Sequence, residues 1–302
     1  MTPLKGRWSR RTERGSVGRA VVTTGRPPRP PTKGPAPPPA VVTGVRSRLE
    51  NLGRMVQFSG SALARIPQST RYMREIWWYA AFIAIGSTPV ALVLTYFTGS
   101  ECSVEAYYSL SQIGAQSLAG VFNAICDTRE ITPLFFGFAI GAKVGCGLVA
   151  ELGTMRVNEE IDALEVMGIP SKIYLVSTRM LATFIVLPFM YLLALGVSYL
   201  GSYVVQMFQV PAGTISSGIY SDYFYRFINL QDLAFSMIKA VVFAFLIVCV
   251  AVYYGYNVTG GAVGIGRAVA KTMALALVIT VVVNALLTQI FWGTNPNLPI
   301  QV

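Results

Sequence analysis

Five acidic side chains stand in one short connector between two long apolar runs of the chain. Such a cluster suits recognition by charge, because an acidic surface guides the docking of a basic partner. Val157, Ile161 and Leu164 recur at helical spacing in the same connector and predict an apolar face beside the acidic one. A solvated face on an interfacial helix is the alternative. The acidic residues are Glu151, Glu159, Glu160, Asp162 and Glu165.

The sequence also predicts where this connector helix begins and ends. Thr154 is expected to cap a helix that runs from Met155 to Met167. Gly168 fits the position just past a helix end, and Pro170 prevents continuation. The spacing therefore predicts a helix over residues 154–168 that presents its acidic stripe to a partner.

Two cations, Lys143 and Lys239, fall inside predicted membrane spans. Charges within a membrane are costly and usually face a cavity or a partner. They are expected to line a polar path or to pair with an acid such as Glu130, although either could snorkel from a span end. Arg129 and Glu130 are expected to form a local ion pair. No carboxylate is identified deep in a span, which argues against ion-coupled transport.

Several kinds of site are excluded or disfavoured. His is absent from the sequence, so His metal sites and Ser-His-Asp triads are excluded. The Gly-rich run at 260–266 follows a membrane span, and no G-x-x-x-x-G-K-[ST] motif occurs, so the chain is expected to bind no ATP. Cys146 and Cys249 lie in apolar runs and should be packing residues. Cys102 and Cys126 could form a disulfide in an oxidising compartment, and no metal cluster is expected.

The composition places most of these residues in a bilayer. Hydrophobic residues make up 53% and charged residues 13% of the chain, with a mean hydropathy of +0.54, whereas about a quarter of a soluble domain is charged. Residues 1–50 carry eleven Lys and Arg against Glu13 and Glu50, which leaves nine of the ten net positive charges there. A basic tail beside an anionic leaflet, or one that is simply disordered in solution, is favoured over nucleic-acid binding.

The predicted fold is an all-α integral membrane protein with an N-terminal amphipathic interfacial helix and about five transmembrane helices. A disordered, basic, Pro-rich tail covers 1–43, and the amphipathic helix covers 44–72, with a soluble docking helix as the alternative. Residues 104–128 are read as re-entrant, interfacial or the outer part of a broken helix. An outer connection covers 207–230. Within the transmembrane domain, 73–302, the spans are 76–97, 131–150, 174–205, 233–254 and 268–292.

The orientation follows from the basic residues in the short loops. The tail and the connectors 151–173 and 255–271 carry Lys or Arg, and the loop at 99–105 carries neither. The N-terminus and both basic connectors are therefore predicted to be cytoplasmic, and the C-terminus is predicted to lie outside.

Several ordered segments over residues 70–295 resemble the MlaE/YrbE permeases, the membrane subunits of ABC transporters that work with MCE lipid-shuttle proteins. The connector carries the strongest likeness. Two departures are Lys143, where the family often has Arg, and the long Pro-rich tail. Shorter matching segments are 112–120, 128–133, 141–145, 237–243, 254–257 and 264–269.

The resemblance implies a non-catalytic permease subunit in a bacterial inner membrane, moving hydrophobic lipids between that membrane and an outer MCE assembly. A system of the actinobacterial type, with paralogous permeases, is suggested by family habit and by the tail. The implied partners are a cytoplasmic ABC ATPase dimer that holds ATP and Mg, a second permease copy or paralogue, MCE-domain proteins and membrane lipids.

The resemblance also implies roles for named residues. ATPase coupling is expected at Glu151, Met155, Glu159, Glu160, Asp162 and Glu165, and a lipid headgroup path at Lys143, Lys239 and Glu130. An ion-coupled secondary carrier and a membrane scaffold that transports nothing are the alternatives.

Overall fold

A computed structural model describes the backbone of residues 40–209 and 215–293, and side chains from Glu50 onward. The predicted tail over 1–43 lies outside the described residues except for its last four, which begin the first helix. The segments 210–214 and 294–302 also lie outside them. The chain divides into two units, Met1–Arg46 and Ser47–Val302, and the interactions given below belong to the second.

The described residues are helical almost throughout, with short loops between helices. Short π-helical or 3-10 segments interrupt the longer helices, at 116–118, 126–131, 141–145, 172–177 and 205–209. The helices are α1 Ala40–Leu63, α2 Ile66–Ser69, α3 Met73–Ser111, α4 Ala119–Ile125, α5 Thr132–Ile140, α6 Cys146–Val157, α7 Glu160–Val166, α8 Thr178–Val204, α9 Ser217–Phe227, α10 Leu230–Tyr256 and α11 Gly261–Trp292.

Five helical stretches of the described chain are long and apolar enough to cross a membrane, which confirms the all-α membrane fold. They are numbered here as the first to the fifth span. A bilayer crossing needs about 20 apolar residues, so each stretch is long enough to extend beyond the hydrocarbon core. Their bounds are Ile66–Ser111, Gln116–Val157, Lys172–Gln209, Leu230–Tyr256 and Gly261–Trp292.

Of the alternatives for residues 104–128, the outer part of a broken helix agrees with the structure, and a separate re-entrant or interfacial segment does not. The first part of this range continues α3 without interruption to Ser111, and its second part opens the second span at Gln116. Asn123, one of the polar residues of this segment, is inaccessible to solvent, and its amide donates to the Ser103 hydroxyl of α3 at 3.1 Å. Because buried polar groups that find partners are tolerated inside a bundle, the low apolar content did not end the span.

The first and third spans pack closely along α3 and α8. A side chain on Gly99 would collide with the Ser198 carbonyl oxygen, and one on Gly201 would collide with that of Tyr96. Small residues at such positions let two membrane helices approach each other closely. The crossing therefore depends on these two glycines.

Both short connectors lie at the same end of the bundle, called here the connector end. The Tyr256 hydroxyl, at the end of α10, lies 2.8 Å from that of Ser171, just before the third span. The turn from α10 to α11 uses Gly260 and Gly261, both at positive φ, which glycine adopts without steric cost. The predicted start of the last span at 268 is too late, because α11 begins at Gly261.

The predicted amphipathic helix begins earlier and ends earlier than the range 44–72. α1 ends at Leu63, and Pro67 falls in the short helix α2. The Ser59 hydroxyl donates to the Cys249 carbonyl at 3.3 Å, and Ala62 accepts from Ser177 at 2.9 Å. These bonds attach α1 to the fourth span and to the start of the third.

Candidate functional site

The connector between the second and third spans is broken near its start rather than capped there. α6 runs on through Thr154, whose hydroxyl donates back to the Ala150 carbonyl at 2.8 Å, and ends at Val157. Glu159 then adopts a positive φ of 61°, and α7 starts at Glu160. The prediction that Thr154 caps one helix from Met155 to Met167 is wrong, because apolar packing holds that first turn in the membrane helix.

The far end of the connector follows the sequence pattern. α7 ends at Val166, and Gly168 takes a positive φ of 76°. The Ile169 N–H donates to the Leu164 carbonyl at 3.0 Å, so the last turn closes on itself before Pro170. α7 is therefore fixed at both ends by left-handed residues, and its orientation is set relative to the membrane helices.

The apolar face predicted for the connector is only partly present. Ile161 is fully buried and Leu164 packs against the same core, but Val157 is 38% exposed and lies outside it. Val166 and Met167 are 88% and 65% exposed. Large apolar side chains that are exposed together at the end of a short connector helix indicate a contact surface rather than a packed face.

Glu151 and Met155, two predicted coupling residues, face inward instead of toward a partner. The Arg179 guanidinium donates to Glu151 at 2.6 Å, and the Tyr79 hydroxyl donates to the other carboxylate oxygen at 2.7 Å. The same Arg179 nitrogen lies 3.7 Å from the Met155 sulfur. This cluster joins the first three spans at the point where the connector leaves the bundle.

The other acidic residues divide into paired and outward groups. Asp162 accepts from Arg156 at 2.6 Å, and Glu165 accepts from Ser171 at 2.6 Å. Glu159 and Glu160 are exposed. The Glu160 carboxylate accepts a hydrogen bond from the Asn158 side-chain amide at 3.2 Å. The surface formed by Glu159, Glu160, Val166 and Met167 is called here the connector surface.

Lys143 lines a cleft of about 500 Å³ between α3 and the second span. Its side chain is exposed, and no carboxylate pairs with it among the described residues. The cleft wall is mostly apolar and includes Trp78 and Phe82, whose rings stack at 5.8 Å. A cation in such a wall suits an amphiphile with an anionic group.

Lys239 does not share that cleft. Its side chain is 0% exposed, donates to the Arg129 carbonyl at 2.6 Å and to Thr288 at 2.9 Å, and lies 3.3 Å from Glu130. Glu130 also accepts from Thr288 and Asn284, at 2.6 and 2.8 Å. The two lysines predicted for one path thus lie in separate places, and Lys239 with Glu130 ties the second, fourth and fifth spans together.

The predicted ion pair between Arg129 and Glu130 is wrong. Arg129 instead donates to Asp232 at 2.7 Å, and the Trp292 indole N–H donates to the other oxygen of that carboxylate at 2.8 Å. Adjacent residues on a helix point in different directions, so each finds a partner on another span. Asp232 lies just before the predicted fourth span, 233–254. Its pairing with Arg129 could be suspected only from its charge beside an apolar run.

One carboxylate that the sequence analysis did not single out is buried within a span. Asp127 belongs to the second span and is 0% exposed. The Ser202 hydroxyl donates to one of its carboxylate oxygens. The sequence reading missed Asp127 because it had placed residues 104–128 outside the bundle. Arg179 and Tyr79 were missed as well, since their partner is distant in the chain.

Cys102 and Cys126 form a disulfide, with their Cα atoms 6.5 Å apart. The bond joins α3 to the second span at the end of the bundle opposite the connectors. Cys126 is partly accessible, and Cys146 and Cys249 are free thiols. At the same end, α9 packs on the second span, with Tyr220 accepting from Asn123 at 3.0 Å; burial raises the pKa of the Tyr220 hydroxyl.

Residues 76–290 match the family model described as Permease MlaE. The chain belongs to the MlaE permease family. A probable ABC transporter permease of Rickettsia bellii is 29% identical over 243 residues, which cover 80% of this chain and 93% of that protein. A probable ABC transporter permease of Synechocystis is 29% identical over 210 residues, covering 69% and 79%. The chloroplastic protein TRIGALACTOSYLDIACYLGLYCEROL 1 of Arabidopsis thaliana is 28% identical over 206 residues, covering 68% and 58%.

Membership in the MlaE family settles the class of the chain. It is a multi-pass membrane permease of an ABC transporter and is not itself an enzyme. ATP hydrolysis in such a transporter is the work of a partner ATPase. The acidic connector, the buried ion pairs and the Lys143 cleft therefore belong to a permease subunit that does not itself hydrolyse ATP.

Proposed function

We propose that this MlaE-family chain moves hydrophobic lipids between the bacterial inner membrane and an MCE-protein assembly on the outer side. A cytoplasmic ABC ATPase dimer, which binds ATP and Mg, docks on the connector surface. A second permease copy or paralogue completes the membrane part. The N-terminus and both connectors are cytoplasmic and the C-terminus lies outside, in keeping with the basic residues of those loops.

The observation that carries the coupling proposal is the two-sided attachment of the connector. Its inner side is bonded into the bundle through Glu151 with Arg179 and through Glu165 with Ser171. Its outer side exposes Glu159, Glu160 and the apolar Val166. An ATPase bound to this exposed side of the connector would move the second and third spans as well, because the bonds of the inner side join the connector to both spans.

The lipid proposal rests on the Lys143 cleft and on one relative. The cleft lies between α3 and the second span, is walled mostly by aromatic and aliphatic side chains, and carries the cation of Lys143, which has no ion-pair partner among the described residues. Glu151 also lines it. The Arabidopsis relative is named for trigalactosyldiacylglycerol, a glycerolipid. A glycerophospholipid would place acyl chains along Trp78 and Phe82 and its phosphate at Lys143.

Affinity purification of the full chain from its native membrane, followed by mass spectrometry of proteins and lipids, tests this function. We expect an ABC ATPase, MCE-domain proteins and a co-purifying lipid. Lys143→Met should lower the amount of bound anionic lipid, Lys143→Arg should retain it, and Lys271→Met, a change at an exposed lysine of α11, should leave it unchanged. Purification without an ATPase would contradict the transporter proposal; lipid binding that ignores Lys143 would contradict the cleft assignment alone.

A further inference from the structure

Asp127 is a buried charge whose balance the described residues do not supply. Its side chain is 0% exposed, and one carboxylate oxygen, Oδ1, has no hydrogen-bond partner among them. The two cations in this part of the bundle are engaged elsewhere, Arg129 with Asp232 and Lys239 with Glu130. An ionised carboxylate left uncompensated in a protein interior is strongly unfavourable, so Asp127 must be neutralised either by a proton or by a cation beside it.

A second buried oxygen next to Asp127 is also without a partner. Asn123 precedes Asp127 by four residues, about one helical turn, and its Oδ1 accepts no hydrogen bond from the described residues. The other end of its amide is fixed, because Nδ2 donates to Ser103 at 3.1 Å and to Tyr220 at 3.0 Å. The amide oxygen is thereby held in place as an acceptor.

Further oxygens of the same hydrogen-bonded cluster come from two other helices. The single hydroxyl proton of Ser202 has three oxygens within reach, those of Asp127, the Gly99 carbonyl at 2.9 Å and the Ser198 carbonyl at 3.2 Å. The Ser103 hydroxyl lies 2.8 Å from the Ser202 carbonyl and 3.0 Å from Gln206 Oε1. Acceptors therefore outnumber the protons that could serve them at the meeting point of α3, the second span and α8.

The chemistry of this donor set selects the ligand. Carboxylate, amide, hydroxyl and carbonyl oxygens are the ligands of hard cations. The sulfurs of Cys102 and Cys126 lie within 4.8 Å of an Asp127 oxygen, but they are bonded to each other and offer no thiolate to a softer metal. The site carries a single negative charge, so a monovalent cation makes it neutral and a divalent one would leave an excess buried charge.

We propose that Asp127 and Asn123 hold an alkali-metal cation, Na⁺, with hydroxyl and carbonyl oxygens of α3 and α8 completing its shell. The ion fixes the junction of the first three spans at the end opposite the connectors. It is a structural ligand, and its assignment does not depend on which substrate the permease carries.

Thermal unfolding of the full-length chain in lipid nanodiscs tests the site, with NaCl, KCl or choline chloride at one ionic strength. In wild type, NaCl should raise the apparent Tm by about 3 °C or more over choline chloride, in a saturable manner. Asp127→Asn should abolish this difference, whereas Asp222→Asn, a change at an exposed carboxylate on α9, should preserve it. Asn123→Ala should raise the half-saturating Na⁺ concentration by about 5-fold or more, since one ligand is lost.

Equal Tm values of the wild type in all three salts would overturn the proposal, and would mean that Asp127 is neutralised by a proton. An equal Na⁺ response in wild type and Asp127→Asn would also overturn it, as a general salt effect. If Asp127→Asn does not fold, the wild-type salt comparison and the Asn123→Ala titration decide the matter by the same criteria.

Discussion

Arg179 on the third span lies 2.6 Å from Glu151 on the second, and the pair sits directly inside the connector that joins these two spans. The hydroxyl of Tyr79, on the first span, completes the cluster at 2.7 Å from Glu151. Movement of the connector must either carry all three spans with it or break this pair. The Glu151 cluster thus bonds the start of the connector to the first and third spans.

Glu151→Gln should destabilise the chain more than Arg179→Met. Glu151→Gln leaves the Arg179 guanidinium, whose side chain is 10% exposed, without its ion-pair partner, with the Leu175 carbonyl still accepting from it at 3.0 Å. Arg179→Met leaves Glu151, which is 36% exposed, with the Tyr79 hydroxyl as a donor. Breaking a fully buried pair costs about 3–5 kcal/mol, so roughly 2 kcal/mol is expected here for Glu151→Gln. Denaturation in detergent measures the difference. The exposed pair Asp222–Arg226 is the control, and Asp222→Asn should lower the free energy of unfolding by about 0.5 kcal/mol or less. Equal losses of unfolding free energy for Glu151→Gln and Asp222→Asn would contradict the account.

Lys239 and Glu130 should show a strong coupling in a double-mutant cycle. Glu130→Gln leaves Lys239 fully buried with only neutral partners, and Lys239→Met leaves Glu130 with Thr288 and Asn284. Each single change is therefore expected to destabilise the chain, and the double variant to recover at least about 1 kcal/mol of the summed loss. The unfolding free energies of the four proteins give the coupling. Strict additivity would show that the two side chains do not interact.

Gly99→Ala should separate the first span from the third. The added methyl group would collide with the Ser198 carbonyl oxygen of α8, a backbone atom that cannot move by side-chain rotation. Such overpacking costs about 1–3 kcal/mol. Gly196→Ala is the matched control on α8, because nothing lies within 4 Å of its added methyl group; there alanine should be neutral or stabilising. The apparent Tm of each variant measures the effect, and equal values for both would show that the helices do not approach closely at Gly99.

Cys102 and Cys126 should resist alkylation until the protein is reduced, since they form a disulfide. Closing a loop of 24 residues stabilises the folded state by roughly 3 kcal/mol in the chain-entropy model. Reduction, or Cys102→Ser with Cys126→Ser, should therefore lower the apparent Tm. Peptide mass spectrometry after alkylation locates the label. Modification of Cys126, the partly accessible member, without reductant would show that the bond is absent.

The apolar runs identified all five spans, because a membrane-crossing helix is fixed by length and hydropathy alone. The boundaries were less predictable. Residues 104–128 looked less apolar than a span, yet Asn123 hydrogen-bonds Ser103 on α3 and Asp127 hydrogen-bonds Ser202 on α8, both distant in sequence. The break at Glu159 was also hidden, because Thr154 is an equally good capping residue by type.

Residue types predicted some of the charged side chains that form buried ion pairs, but could not predict their partners. Lys239 and Glu130 were both singled out and do meet, at a separation of 109 residues in the chain. Arg129 was assigned to its neighbour Glu130 and instead bonds Asp232. Glu151 was predicted as a coupling residue of the acidic connector, and it forms an ion pair with Arg179 of the third span. Without the helix packing, spacing along one helix cannot distinguish an outward face from an internal ion pair.

Co-purification of the partner ATPase with connector variants tests the central claim most directly. Glu159→Lys with Glu160→Lys reverses the two outward acidic residues and leaves the Glu151 cluster intact, and Glu101→Lys with Glu105→Lys makes the same change at exposed residues of α3 toward the opposite end. The account predicts that the connector variant is inserted and folded but loses the ATPase, while the α3 variant and wild type retain it. An ATPase that stays bound to the connector variant as tightly as to wild type would contradict coupling through the connector surface.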